Sequence, residues 1–432
     1  MDSLKAATGC KVWFYEEFFS VILTVDFTSS CILTLQRHWE TCSTDLQPPG
    51  GSAGFDFSVM SYNILSQELL RDNCFLYGHC EPGVLRWDFR LHNLLQEIQQ
   101  HDADVVCLQE VQEDHYQNQI RPALQARGYH CEYKKRTGRK PDGCAVTFKT
   151  SRLSLLSSNP VEFLRPGDAL LDRDNVGLVL LLRPNDSVSQ SDPSSFLCVA
   201  NTHLLYNPRR GDIKLAQLAI LLAEIDRLSR LPDGSTNPVV LCGDFNAAPW
   251  SPLYSFLTSG CLEYRGLQIG KVSGQDNSPR GQRLLSFPIW SPSLGINHQC
   301  QYENQPAAEA PPTIPTAVEG RISNLTGEDL STPPDRMRME HTLKLQSSYR
   351  HHLLPDGRPE ISTCHSHTAL TVDYILYSHD STPPSLPGGR GLQLLGRLSL
   401  VGQSELEEVN GLPNQHHSSD HLPLLARFRF RC

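Results

Sequence analysis

An α/β layered fold is the class this sequence predicts, and three observations predict it. From Phe55 onward, short apolar runs alternate with amphipathic stretches of helical period. Acidic and amide residues recur where those apolar runs end. No run reaches the roughly 18 apolar residues a membrane helix needs, so the apolar segments read as strands and core helices.

The elements follow in order. Residues 1–54 read as a poorly defined extension: the apolar stretch from Trp13 to Leu35 is broken by Glu16, Glu17 and Asp26, and a Gly/Pro linker, LQPPGGSAG (46–54), closes it. FSVMSYNIL (57–65) has strand character, and the helix at 86–101 carries Leu91, Leu94, Leu95 and Ile98 at i, i+3, i+4 and i+7. A strand at 103–110 and a helix from Glu113 to Arg127 come next, with Gly128 as its stop. FLCVANTHL (196–204) is a strand, and the helix at 212–230 presents Leu215, Leu218, Ala219, Leu222 and Ile225 to the strand PVVLCGDF (238–245). TVDYILY (371–377) and LLARFRF (424–430) are the last strands. Between Val272 and Pro334 the periodicity fails and Ser, Pro, Gly, Gln and Asn accumulate, which predicts a mobile insertion at 272–334; 381–391 reads as a surface loop.

A prior of roughly 150 residues per domain suggests about three domains. No internal repeat supports that number, and without extension and insertion roughly 300 residues remain, enough for one large two-sheet domain over 55–432. The net charge of −9 argues against bulk electrostatic capture of nucleic acid, yet leaves room for a local basic groove. There is no C-x-x-C pair, so zinc-ribbon and thioredoxin-like readings fall away. Cys107, Cys198 and Cys242 sit in apolar runs as small buried hydrophobes, and a reducing compartment, the cytoplasm, is expected, with association with endomembranes left open.

The chemistry gathers at the strand ends: Asn63 in SYNIL, Glu110 in LQEV, His203 in NTHL, Asp244 and Asn246 in GDFN, Asp373 in VDYI, and Asp420-His421 in SSDH. One Asp or Asn at a strand end is usually a turn or cap residue. As a set, carboxylates and amides without thiolates form a hard-oxygen site suited to Mg²⁺ or Mn²⁺ rather than zinc. Such a site suits an anionic substrate with a poor leaving group, a phosphate ester foremost. His416 and His417 with His421 make a weak zinc motif, because adjacent residues of a strand point apart. His351, His352, His365 and His367 are read as surface residues.

The order SYNIL, LQEV, NTHL, GDFN, VDYI, SDH resembles that of the endonuclease/exonuclease/phosphatase superfamily. KPDGCAVTFK (140–149), DRDNVGLVLLL (172–182) and YNPRRGDIKLAQL (206–218) look like the deadenylase and nocturnin branch, and most similar is the Angel protein subgroup, its type 1 members first. The resemblance implies a four-layer α/β sandwich of two packed mixed β-sheets flanked by helices. It implies Mg²⁺, one ion or two with Mn²⁺ able to substitute, held mainly by Glu110 with Asn63 and Asp420 beside it. Asp244, helped by Asn246, would orient or deprotonate the attacking water, while His421, held by Asp373, and His203 would stabilise charge on phosphorus. Asn175 and Pro208 would touch substrate.

Lys134, Lys135, Arg136, Arg139 and Lys140 put five positive charges into seven positions beside a family-like segment, where phosphate contacts could track an RNA strand. The related deadenylases place a Phe five residues before the Asp that matches Asp373; here that position is Thr368, so half of an adenine clamp is missing. Three functions stay open. The first is a metal-dependent phosphoesterase at the RNA 3′ end, acting on terminal 2′,3′-cyclic phosphate or as a 3′→5′ exonuclease. The second is an adaptor bound to the cap-binding translation initiation factor, for which only Tyr349 with Leu354, followed by Pro355, offers a partial Tyr-x4-Leu motif. The third is a small-molecule or lipid phosphatase.

Overall fold

In the computed structural model the described residues are 34–43, 54–185, 195–275, 283–303, 337–354, 356–366, 368–379 and 391–430. The chain divides into Met1–Gln36, of which residues 34–36 are described, and Arg37–Cys432, which contains every element below.

The strands in chain order are β1 (Trp39–Thr41), β2 (Phe55–Asn63), β3 (Val105–Gln112), β4 (Tyr129–Lys135), β5 (Asp142–Lys149) and β6 (Leu153–Glu162). They continue with β7 (Val176–Pro184), β8 (Leu197–His203), β9 (Val239–Asp244), β10 (Cys261–Glu263), β11 (Arg338–Glu340) and β12 (Leu345–Ser347). The last are β13 (Thr363–His365), β14 (Thr368–Leu370), β15 (Asp373–Ser378), β16 (Leu392–Leu398) and β17 (Leu424–Phe430). The helices used here are α1 (Gln67–Asp72), α2 (Trp87–His101), α3 (Arg121–Gln125), α4 (Gly211–Ser229), α5 (Pro252–Ser259) and α6 (Gln403–Glu408).

Two mixed sheets form, in the orders β1-β16-β17-β2-β3-β5-β4 and β12-β15-β9-β8-β7-β6. They face each other, with β3 against β8 and β9, and β15 against β2 and β17. Phe57, Phe428 and Tyr377 fill one part of that seam with tilted rings, and Gln109 Nε2 donates to Asn201 Oδ1 across it at 2.7 Å. The outer face of the first sheet buries Leu94 and Ile98 of α2 with Leu124 of α3. The outer face of the second buries α4, whose residues are buried almost all round because a further layer covers its far side. The four-layer sandwich that the motifs implied is therefore the observed fold.

That further layer includes part of the insertion expected at 272–334, namely the described residues 283–303. Leu285, Ile289, Trp290, Ile296 and Cys300 are buried in the same core as α4, and Trp290 Nε1 donates to the Ile296 carbonyl at 2.9 Å. Residues 283–303 are irregular but packed, and their apolar anchors follow no helix or strand period. Residues 304–336 lie outside the described residues, as do 46–53 of the linker and 380–390 of the second loop.

Two further readings change. Tyr349 is 4% exposed and its hydroxyl donates to the Leu398 carbonyl at 2.8 Å, so the tyrosine of the Tyr-x4-Leu stretch is fixed in the core and not displayed, while Leu354 is exposed. His351, read as a surface residue, is 3% exposed and bonded to the Tyr254 hydroxyl at 3.0 Å, while His352 is exposed as expected. Cys107, Cys198 and Cys242 are buried free thiols. Among the described residues, no helix is long and apolar enough to cross a membrane.

Residues 37–43, inside the expected extension, belong to the first sheet. β1 pairs antiparallel with β16, Arg37 donates to the carbonyls of Ser399 (2.7 Å) and Pro423 (2.8 Å), and Glu40 pairs at 2.7 Å with Arg397, whose side chain is buried. A chain starting at Phe55 would leave Arg397 without its carboxylate, and losing one partner of a buried pair costs about 3–5 kcal/mol. Urea unfolding of residues 55–432 beside residues 37–432 should show that deficit; coincident curves would mean that β1 is dispensable.

Candidate active site

Strand register puts the reactive side chains in rows. His203 ends β8, Asp244 ends β9 and Asp373 begins β15; His203 is paired with Asp244 in the parallel ladder and Asp244 with Asp373 in the antiparallel one. All three therefore lie side by side across three neighbouring strands. The parallel pair needs close backbone approach at Gly243, where φ is +149° and a Cβ would stand 2.1 Å from the Thr202 carbonyl oxygen. From the facing sheet, Asn63 ends β2 beside Gln109 of β3. Glu110 follows in a bulge between Leu108 and Val111, with φ +54°, a left-handed backbone that re-aims its side chain out of the strand alternation.

The amide of Asn63 joins the two sheets' contributions. Its Nδ2 donates to Glu110 Oε1 and to Asp244 Oδ2, each at 3.1 Å, while Glu110 Oε2 accepts from the Ser66 backbone N–H at 3.0 Å. Asn246 (φ +47°) closes the turn after β9: its backbone N–H donates to Asp244 Oδ1 at 2.9 Å and its side chain to the Leu204 carbonyl at 3.1 Å. His203 Nε2 stands 3.5 Å from Asp244 Oδ2. His421 Nδ1 lies 2.8 Å from Asp373 Oδ2, leaving Nε2 at 3.9 Å from both Asp244 Oδ2 and Asp420 Oδ1. Ser362 Oγ donates to Asp373 Oδ2 at 2.6 Å, so this carboxylate is held from both sides.

Electrostatics follows from crowding. Burial, then the charge of Asp373, pushes the Asp244 carboxyl up to about 7. Burial also raises Glu110, against the pull of His203. His203 itself is lowered by burial. Burial pulls His421 down too, but Asp373, Asp420 and Asp244 together outweigh it and hold the imidazolium well above its ordinary range.

The donor set fits a hard divalent cation. Asp373 Oδ1 and Asp420 Oδ1 are buried oxygens without hydrogen-bond partners, and ligand atoms of Asp244, Asp373 and His421 come within 4.8 Å of one another. That trio is not itself the best cation seat. Asp373 Oδ2 and His421 Nδ1 already satisfy each other, whereas the Glu110 carboxylate and the orphaned oxygen of Asp420 keep oxygen donors for a metal; Asn63 turns its Nδ2 toward Glu110 and Asp244, and its Oδ1 accepts from the Leu65 N–H at 3.1 Å.

Other predicted residues sit farther from the chemistry. Asn175 is buried, its Nδ2 donating to the His203 carbonyl at 3.0 Å and its Oδ1 accepting from Gln217, so it positions His203. Pro208 is half-buried in the turn after β8 and its carbonyl accepts from Ser273 Oγ. In the basic run, Lys134 pairs with Glu162, Lys135 with Glu113 at 3.8 Å and Arg136 with Asp142 at 3.4 Å. Arg139 and Lys140 are exposed, and among the described residues neither has an ion-pair partner. His417 reaches Glu97 at 3.4 Å, away from the site, so it takes no part in a zinc cluster with His421.

The structure adds residues that motif reading missed. Tyr77 donates to Asp420 Oδ2 at 2.9 Å, and Ser419 Oγ donates to the Asn63 carbonyl at 2.6 Å, tying the loop before β17 to the end of β2. Arg90 is wholly buried on α2 and donates to the carbonyls of Ile64, Leu65 and Ser418 and to Gln67 Oε1. Its signal was its register with Leu94 and Ile98, i, i+4, i+8, on the buried face.

An α/β sandwich with this ring of carboxylates, amides and histidines at one end defines a phosphoesterase-type centre, and residues 60–421 match the Endonuclease/Exonuclease/phosphatase family. The chain belongs to that family, and within it to the angel proteins. It is 58% identical over 414 residues to protein angel homolog 2 of Danio rerio, covering 93% of this chain and 70% of the relative. Protein angel homolog 1 of Homo sapiens is 45% identical over 446 residues, covering 91% and 66%, so the leaning toward type 1 gives way to type 2. The crystal structure of ANGEL2, a 2′,3′-cyclic phosphatase, in complex with adenosine-2′,3′-vanadate superposes with a TM-score of 0.77 at 54% identity, covering 92% of this chain and all of that one.

Asp373→Asn keeps the shape and removes the charge that sustains the His421 imidazolium. In the variant the His421 titration, followed by NMR, should move to lower pH, and turnover should fall by roughly 10²–10³, within the range of one acid–base group. An unmoved His421 titration would contradict the pairing.

Proposed function

We propose that this protein is a Mg²⁺-dependent phosphoesterase of RNA 3′ ends that hydrolyses terminal 2′,3′-cyclic phosphate. The observation that carries the reading is the convergence of Asn63, Glu110, His203, Asp244, Asp373, Asp420 and His421 on one rim of a chain 54% identical to a 2′,3′-cyclic phosphatase. Thr368, at the start of β14, supports end processing over base-selective trimming, because it offers no ring for a terminal adenine. The buried thiols support a reducing, cytoplasmic setting.

Mg²⁺, held by Glu110 with Asn63 and Asp420 beside it, would supply charge neutralisation and polarisation of the phosphate. Asp244 stands where it can accept the proton of the attacking water, with its other oxygen fixed by the Asn246 N–H. The water oxygen bonds to phosphorus as one ring P–O bond breaks, and the departing ribose oxygen takes a proton. His421, protonated and aimed through Nε2 into the site, is placed to stabilise the charge gathering on the phosphoryl oxygens. His203, with its carbonyl held by Asn175, is the second such group. No covalent enzyme intermediate is needed, since every step uses water as nucleophile.

The test is a 5′-labelled RNA ending in 2′,3′-cyclic phosphate beside one ending in poly(A) with a free 3′-OH, each with Mg²⁺ and with chelator. We expect Mg²⁺-dependent loss of the cyclic phosphate without shortening, and a fall of at least roughly 10³-fold in Glu110→Ala. A ladder on the poly(A) substrate would favour an exonuclease instead, and no Mg²⁺-dependent change in either RNA would defeat the enzymatic reading.

A further inference from the structure

A cavity of about 590 Å³ opens beside the catalytic rim and takes no part in the chemistry described above. Its walls come from five places: the turn after β9 with Trp250, His351 with His352, the stretch Arg358–Ile361, the stretch Ala369–Thr371 that leads into Asp373, and one face of α6. Chain connectivity keeps it close to the reaction. Thr371 is two residues from Asp373 and Trp250 four from Asn246, and an extended chain spans at most roughly 3.6 Å per residue.

Its main feature is an aromatic ledge. Trp250 is 61% exposed, the indole lies nearly parallel to the His352 ring (13°, centroids 5.9 Å apart), and His351 meets its edge at 83°. The ledge is fixed from below: His351 is buried against Tyr254 and Tyr374 and bonded to the Tyr254 hydroxyl. Trp250 has φ +64°, a left-handed backbone that a bulky residue enters only where its surroundings impose it. A large ring held out into solvent in that way is not explained by core packing, because its own burial is slight.

The charge around the ledge selects a neutral planar guest over a phosphate. Arg358, the cation in the wall, is already matched by Asp356 (2.6 Å) and Glu405 (3.1 Å). Burial lowers His351 to about 4, so it is uncharged at neutral pH. Glu360 and Glu407 add acidic groups to the same lining. Bases stack on aromatic faces without sequence preference, whereas an unpaired phosphate here would meet carboxylates.

Resting on the cyclic-phosphate reading above, we propose that the Trp250–His352 ledge is a stacking subsite for a base of the RNA upstream of its terminal nucleotide. The subsite anchors the strand while the terminal ribose phosphate alone enters the carboxylate ring. It also compensates for Thr368, since a base held upstream makes grip on the terminal base unnecessary. An exposed ring near the site would otherwise be only a surface residue, and the two readings differ in how substrate length matters.

The experiment compares wild type, Trp250→Ala and His352→Ala on a nucleoside 2′,3′-cyclic monophosphate and on an oligoribonucleotide with the same cyclic end, in Mg²⁺. We expect KM for the oligonucleotide to rise roughly tenfold in Trp250→Ala, the size of one stacked base, with kcat unchanged and the mononucleotide unaffected; His352→Ala should shift KM the same way by less. An unchanged oligonucleotide KM, or an equal loss on the mononucleotide, overturns the subsite. A second readout does not depend on catalysis: a short RNA with a 3′-OH should quench part of the tryptophan fluorescence of wild type, and Trp250→Phe, which keeps the other four tryptophans, should not show that quench. If wild type hydrolyses neither substrate but shows that quench, the cyclic-phosphate reading fails and the subsite stands. Absence of the quench overturns the subsite, and thermal unfolding of each variant separates loss of fold from loss of contact.

Discussion

Carboxylates that water scarcely reaches repel one another, and Asp244 sits where that repulsion is greatest. Asp373 is its neighbour across the ladder, Asp420 and Glu110 lie around the same hollow, and burial disfavours the charge on Asp244 and on Glu110. What surrounds Asp244 answers this. Asn63 and the Asn246 N–H donate to it, and two imidazoles lie within 4 Å. These groups neutralise the cluster only in part, as the raised Asp244 and the two orphaned carboxylate oxygens show. A divalent cation is the natural complement, which is how an acidic protein comes to act on an anionic substrate.

Holding such a cluster open requires that the loops carrying it be fixed from outside. Arg90 does this with four bonds from one guanidinium, joining the turn after β2 to the loop before β17. Among the described residues no carboxylate pairs with it directly; carbonyls and an amide satisfy its donors, so its charge remains available as a field against the acidic ring. Ser419 and Tyr77 add shorter ties on the same loop. Preorganisation of this kind lets the reacting groups meet the phosphate without rearrangement.

Much of this was legible in the sequence, for a physical reason. Residues at strand ends are constrained both by the strand before them and by the chemistry they carry, so SYNIL, NTHL, GDFN and SDH show both signals. Glu110 was found through its motif, although the bulge that aims it has no period to read. Where burial arises from irregular chain, the signal vanishes: Trp290 and Ile296 pack as firmly as any strand, yet their spacing looks like loop. Arg90 and His351 were hidden by residue type, since charged or polar side chains read as surface until their partners are known. The basic run misled in the opposite sense, as Glu162, Glu113 and Asp142, distant or unremarked in sequence, match three of its charges.

Protons and a cation must compete for the same carboxylates, and that competition is measurable without substrate. Asp244 is raised from 3.8 to about 7 in the folded chain, so between those values the folded state binds the extra proton and loses stability as pH rises. His421, also raised, contributes stability present below its unfolded value near 6.5 and lost at higher pH, which has the same sign. Thermal unfolding in chelator and in Mg²⁺, at pH 6 and pH 8, is therefore the most direct measurement. The midpoint in chelator should fall from pH 6 to pH 8, and the rise produced by Mg²⁺ should be larger at pH 8, where the Asp244 proton has left. A Mg²⁺ effect that is absent, or no greater at pH 8 than at pH 6, would contradict a cation seated among these carboxylates.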